Sequence, residues 1–195
     1  VGRGQAARGN VQAQVTATLP PPYDEVAIGE SWLNAIEHAE HYIYIEDQYF
    51  RAEILNDAIL KRMIERPNLH LVVITPPMKE WSDPGCEWTY RSNDLFEGFD
   101  DRYLLLQLRS FDYAWDIDGY SDKAKGYFVD VDVHSKMLIV DDVFLSVGSA
   151  NKNNRGMLYE AELNIAVVDP TVVRDWRRRI LANLLPKGVS VSDDT

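Results

Sequence analysis

The chain has 195 residues, 46% of them hydrophobic and 11% aromatic, which excludes a disordered polypeptide and supplies enough apolar mass for a core. A net charge of -11 argues against a general nucleic-acid or anionic-membrane surface, which needs a basic excess. One cysteine, Cys86, excludes an internal disulfide and a cysteine-based zinc cluster, and no apolar run reaches the roughly 18 residues of a membrane span.

Residues 1–10 are Gly, Ala, Arg and Gln without a period and predict a flexible lead-in; the chain opens on Val with no signal-peptide core, as a mature fragment would. Val11 to Leu19 alternates, with its apolar side chains on one face, as in a half-buried strand, and Pro20-Pro21-Pro22 stops it. Trp32, Leu33, Ile36 and Ala39 recur at helical spacing. His38 and His41 fall on the polar side of that helix, without a third ligand nearby, and read as exposed helix rather than a metal site. Tyr42 to Glu46 is a strand, and Glu46 and Gln48 lie at its carboxyl end, where open α/β sheets place ligands. Supporting a site and tying down the loop are both open to them.

Ile54 to Arg66 predicts an amphipathic helix and Asn68 to Thr75 a buried parallel strand, ended by Pro76-Pro77. Met78 to Arg91 reads as loop, Ser92 to Arg102 as helix, Tyr103 to Phe111 as strand and Phe111 to Gly126 as a second loop. The loops carry Trp81, Trp88, Tyr113, Trp115 and Tyr120, which suit either an interfacial surface or packing on their own domain.

Val131 to Val140 predicts a strand covered on both faces, Asp141-Asp142 a turn, and Val143 to Val147 the second arm of a hairpin. His134 and Lys136, two apart, share a face. A histidine titrates near pH 6.5, so His134 suits attack on phosphorus or proton exchange with a leaving oxygen. Lys136 is a point charge for phosphate, and Ser149 and Asn151 supply neutral donors. Together they form a site able to stabilise a pentacoordinate phosphorus without a metal or other cofactor. Glu162 is placed to accept a hydrogen bond from the second ring nitrogen of His134. Asp141, seven residues on, falls at or beyond the strand end, and holding the turn suits it at least as well as catalysis. Asn153 to Gly156 opens a short helix or turn, LNIAVV after Glu162 is a strand, and Pro170 to Leu184 is a closing amphipathic helix whose Arg run reads as a solvated face. Residues 186–195 read as a tail.

The spacing H-x-K-x4-D-x6-G-S-x-N over His134, Lys136, Asp141, Gly148, Ser149 and Asn151 resembles the HKD motif of the phospholipase D superfamily. IYIEDQYF, Ile43 to Phe50, is similar to a segment that two-motif phospholipases D carry between their motifs. The resemblance spans about Val11 to Leu184, and two positions depart from it: Ala17 where the family often has Arg, and Gly156 where Ser is usual. It implies a layered α/β sandwich with a mixed sheet, 11–185 forming one phospholipase D-like half. It further implies a phosphate pocket of His134, Lys136, Ser149 and Asn151, with Glu162 orienting His134 and Asp141 as the motif acid.

The implied activity is hydrolysis or transfer of a phospholipid head group through a phosphohistidine. Two histidines are then needed, and the sequence holds one H-x-K motif. The chain is therefore expected to be the carboxyl-terminal half of a two-motif enzyme, its partner a first half carrying the nucleophile while His134 serves as acid and base. The alternatives are a one-motif homodimer of the nuclease type and a half-site inactive alone. Phospholipid substrate, transient contact with a membrane interface, no nucleic acid, and a secreted or membrane-peripheral location complete these expectations.

Overall fold

The computed structural model describes residues 10–78, 85–114, 125–185 and 189. In chain order the elements are β1 (Ala13–Leu19), β2 (Glu25–Val26), α1 (Ala27–Glu37), β3 (Tyr42–Asp47), α2 (Glu53–Glu65), β4 (His70–Ile74) and α3 (Cys86–Asp94). They continue with β5 (Tyr103–Leu106), β6 (Arg109–Ala114), β7 (Lys125–Asp130), β8 (Lys136–Val140), β9 (Phe144–Gly148), β10 (Glu162–Val168) and α4 (Pro170–Leu184), with one π-helical turn at Arg155–Tyr159.

The main sheet has eight strands in the order β2-β1-β10-β9-β8-β3-β4-β5. Pairing is antiparallel from β2 across to β3 and parallel through β3, β4 and β5, so the fold is mixed α/β, as expected. Ile43, Ile45, Leu71, Val73, Leu138 and Val140 face α1 and α2, whose Trp32, Ile36, Leu55 and Ile59 complete one core. Met137, Ile139, Leu145 and Val167 take the other face and pack against Val173 of α4. A strand apolar on both faces is what a central position requires, and β8 is buried at every residue.

The β8–β9 hairpin closes through Val143 N–H to Val140 O at 2.9 Å. Asp141 and Asp142 both adopt positive φ, 51° and 54°, the backbone a tight hairpin turn of this twist demands. Helix α4 starts on an Asp169 cap, whose carboxylate accepts the N–H groups of Thr171 and Val172 at 2.9 and 3.1 Å, with Pro170 at the first helical position.

Three expectations change. Cys86 to Arg91, expected as loop, is the body of α3, while 95–102 is turn rather than helix. The strand expected over Tyr103 to Phe111 is broken: β5 joins the main sheet, and β6 pairs with β7 in a separate ribbon where loop was expected. Trp81, Trp115 and Tyr120 lie outside the described residues. The third change concerns β1, whose apolar side points the unexpected way. Thr16 and Thr18 are buried against α1 and the π-turn, whereas Val15 is 67% exposed. Its neighbours on that face of β10, Leu163 and Ile165, are also exposed.

Candidate active site

The carboxyl end of β3, the start of β8, the end of β9 and the start of β10 converge at one edge of the sheet. In register, Asp47 of β3 faces Lys136 of β8, and the next strand places Gly148 beside Asn164 of β10. Gly148 has to be glycine: a Cβ there would lie 2.3 Å from both Asn164 Oδ1 and Leu163 O. That closeness lets the chain turn from β9 into Ser149, Ala150 and Asn151 directly above the sheet.

Lys136 is 7% exposed, and its ammonium donates to the carbonyl of His134 at 2.8 Å. An ammonium has three donors, and among the described residues only this one is spent. Burial pulls the Lys136 pKa down, while Asp47 and Glu162 pull it up; burial wins. His134 is exposed, but it is not in the strand. β3 ends at Asp47, the partner of Lys136, so nothing remains for residues 131–135 to pair with, and β8 begins at Lys136 rather than at Val131. His134 is thus a loop residue held beside Lys136 through its own carbonyl.

Ser149 donates to Glu162 in a short contact, and the Leu163 N–H donates to Ser149 Oγ at 3.1 Å. This corrects one expectation: the hydrogen bond found at Glu162 comes from Ser149, not from the ring of His134. Asn151 Oδ1, a hydrogen-bond acceptor, is buried without a partner among the described residues. Its backbone is braced by Gly156, where a Cβ would come within 2.5 Å of Asn151 O.

For Asp141 the geometry favours the turn-holding role, one of the two left open by the sequence. Its carboxylate accepts the N–H groups of Glu40, His41 and Tyr42 at 2.6, 2.9 and 2.7 Å, at the end of β8 away from Lys136. Five residues, at about 3.3 Å each, separate Lys136 from Asp141, so Asp141 clamps the turn at the end of β8 far from Lys136. His38 and His41, expected on the helix, follow its end and are exposed. Arg177, read as part of a solvated face, is buried in a two-bond pair with Asp142 at 2.6 and 2.8 Å.

Glu46 stands beside the site on the opposite face of the sheet, accepting the Tyr44 hydroxyl at 2.8 Å and Ser135 in a short contact, which fixes the residue between His134 and Lys136. Gln48 is half-buried in the loop that follows. Sequence reading missed Asp47 and Lys152, both fully buried under the site. Asp47 accepts the N–H groups of Tyr49 and Lys152 at 2.7 and 2.9 Å, and burial pushes its pKa up to about 7 against those bonds and the neighbouring Lys136 and Lys152. Lys152 Nζ contacts Asn56 and lies 3.9 Å from the Phe50 ring centroid; burial brings its pKa down to about 7, with Asp47 opposing. The hint in the sequence was an acid at a strand end and a lysine inside an Asn-rich turn. Among the described residues no group of three or more His, Cys, Asp or Glu could hold a metal ion.

A cavity of about 970 Å³ lies at the far end of the sheet, lined by Gln12, Asn34, His38, Asp141 and Phe144 among others. The site is therefore identified by its chemistry, not by its volume.

The family profile described as cardiolipin synthase, PLD-like domain, matches residues 32–183. Phospholipase D zeta 1 of Arabidopsis thaliana is 28% identical over 187 residues, covering 76% of this chain and 17% of its own length. Phospholipase D A of Dictyostelium discoideum is 30% identical, with 74% and 13% covered. The chain thus spans less than a fifth of these relatives. Among solved structures, NucT from Helicobacter pylori superposes with a TM-score of 0.55 at 16% identity over 89% of this chain and 96% of its own. Phosphatidylserine synthase of Haemophilus influenzae gives 0.60 at 13% identity over 88% and 39%.

Proposed function

We propose, from the premise that this chain belongs to the phospholipase D superfamily, that it contributes half of a phosphodiesterase site acting on phospholipid head groups. The observation that carries this is Lys136, buried yet with two donors unspent among the described residues, beside exposed His134. The site is poised for an anion with several oxygens, which a phosphodiester is.

On this reading a histidine from a second half attacks phosphorus, and the P–O bond to the leaving alcohol breaks. His134 gives that alkoxide its proton. Water, or a second alcohol, then loses a proton to His134 and displaces the phosphohistidine, which restores both rings. Lys136, Ser149 and Asn151 hold the phosphoryl oxygens as charge builds on them. No step requires a metal.

The need for a second half is supported by β1 and β10. Val15, Leu163 and Ile165 form an apolar patch on the sheet face opposite Glu162, and a strand patterned to bury that side leaves it bare among the described residues. A second half, or another part of the whole protein, seated on the patch would bury it. Contact with a lipid interface is supported by the β6–β7 ribbon, where Phe111 and Phe128 stack edge to face at 5.3 Å while both remain exposed. The ribbon leads into His134 within four residues of Asp130. No helix among the described residues is long and apolar enough to cross a membrane, and a peripheral or secreted enzyme fits the reading.

The test is release of choline from phosphatidylcholine vesicles by this chain, alone and mixed with a first-half domain, with DNA as the rival substrate. Choline release by the mixture and not by the chain alone supports the reading. DNA turnover by the chain alone, with a dimer by light scattering, favours the homodimeric nuclease instead.

A further inference from the structure

We propose that Asp47 is a positioning residue for this site: it fixes the charge of Lys136 and the phosphate-facing loop with one carboxylate. The inference rests on the phosphate-gripping role given to Lys136 above and adds a residue that the HKD spacing does not contain.

The geometry has three parts. Asp47 and Lys136 are the last register pair of β3 and β8, so their side chains leave the same face of neighbouring strands. Asp47 is fully buried, and each of its oxygens already accepts a backbone N–H, from Tyr49 and Lys152. A carboxylate held twice by backbone cannot swing onto the ammonium. Lys136 therefore feels the charge without surrendering donors to it, and its one protein hydrogen bond goes to His134 O. The electrostatic partner and the hydrogen-bond partner are separated.

The second N–H belongs to the loop itself. Lys152 follows Asn151 directly, so the bond to Asp47 sets the height of Asn151 above Lys136. The loop is pinned further from below. Lys152 O accepts the N–H groups of Arg51 and Ala52 at 3.0 and 3.2 Å, and Lys152 Nζ reaches Asn56 of α2, which bonds Ser92 of α3 at 2.8 Å. Asp47 thus sits where the β3–α2 loop, the Ser149–Asn151 loop and Lys136 meet. A wholly structural aspartate would do the pinning and leave Lys136 titrating as before.

That difference is measurable in the intact chain labelled with ¹³C at lysine Cε, with Lys136 assigned by comparison with Lys136→Arg. Asp47→Asn keeps the shape and an acceptor but removes the charge, and the Lys136 midpoint is expected to fall by about one pH unit. An unchanged midpoint in a folded variant overturns the proposal. Where the variant does not fold, His134→Ala decides: with the neighbouring imidazole gone, the Lys136 resonance should still show a separate inflection as Asp47 titrates, and its absence overturns the proposal equally. Neither measurement uses turnover, so failure here leaves the phosphodiesterase reading intact, and an inactive chain leaves this one intact.

Discussion

Strand β8 is five residues long, and its two ends do opposite things with charged groups. At the Lys136 end, two ammonium donors and the Asn151 Oδ1 are unspent among the described residues, and Lys136 has charged neighbours it does not bond. At the Asp141–Asp142 end, charge is consumed: Asp141 takes three backbone N–H groups, and Asp142 takes the Arg177 guanidinium and the Tyr42 hydroxyl. Both ends belong to one sequence motif. The lesson is that a motif's fixed spacing can record a chemical demand at one end and a folding demand at the other, and unspent hydrogen-bonding capacity tells them apart.

The sharpest way to break this comparison is at His134. With the partner half present, His134→Ala should lower choline release by about 10⁴-fold, about 5.4 kcal/mol of transition-state stabilisation, with the melting temperature unchanged. A variant that keeps appreciable turnover would remove His134 from the mechanism. At the other end the loss should appear in stability. Asp142→Ala removes the carboxylate that takes two hydrogen bonds from buried Arg177, and breaking such a buried pair costs about 3 kcal/mol in chemical denaturation. Burial alone would raise the Asp142 pKa, but Arg177 and Tyr42 hold it below its ordinary 3.8. The group's contribution is therefore complete above that value and is lost as pH falls through the lower folded one. Wild-type stability should drop more steeply than that of Asp142→Ala below about pH 4; parallel curves would refute the pairing.

Much of this division was legible from residues alone, and where it was not the reason is tertiary. Asp141-Asp142 read as a turn because two acids between apolar runs have little else to do, and parity already placed Asp141 away from phosphate. The mixed sheet followed from alternating strand and helix patterns. His134 was misplaced in the strand because where β8 starts is set by where β3 stops, which no local pattern records. Asp47 was missed because its importance comes from a register partner 89 residues away. Lys152 resembled any lysine in a polar turn until α2 and Phe50 closed over it. β1 was read correctly as alternating, but its apolar face has no cover among the described residues. Sequence pattern says that a face is to be buried, not by what.

Smaller effects sharpen the contrast. Asp141→Ala removes the acceptor of three N–H groups at a partly exposed edge, for an expected loss of about 2 kcal/mol. Turnover per folded molecule should be unaffected, and a selective loss of turnover would return Asp141 to the chemistry.

The least disruptive change is Ser149→Ala. Ser149 stands at the open end, but its hydroxyl is occupied on both sides, by Glu162 and by the Leu163 N–H. To serve phosphate it must release Glu162, and a freed Glu162 could then turn to His134, the partner expected from the resemblance. Loss of Ser149 removes one neutral donor while liberating that carboxylate, so the two consequences oppose each other and the net fall in turnover should be about tenfold, near 1.4 kcal/mol. Ser149→Ala paired with Glu162→Gln separates them. If Glu162 acts through His134, the pair falls well below the product of the single effects and the acid limb of the pH profile moves; if Glu162 serves only to hold Ser149, the pair is no worse than Ser149→Ala alone.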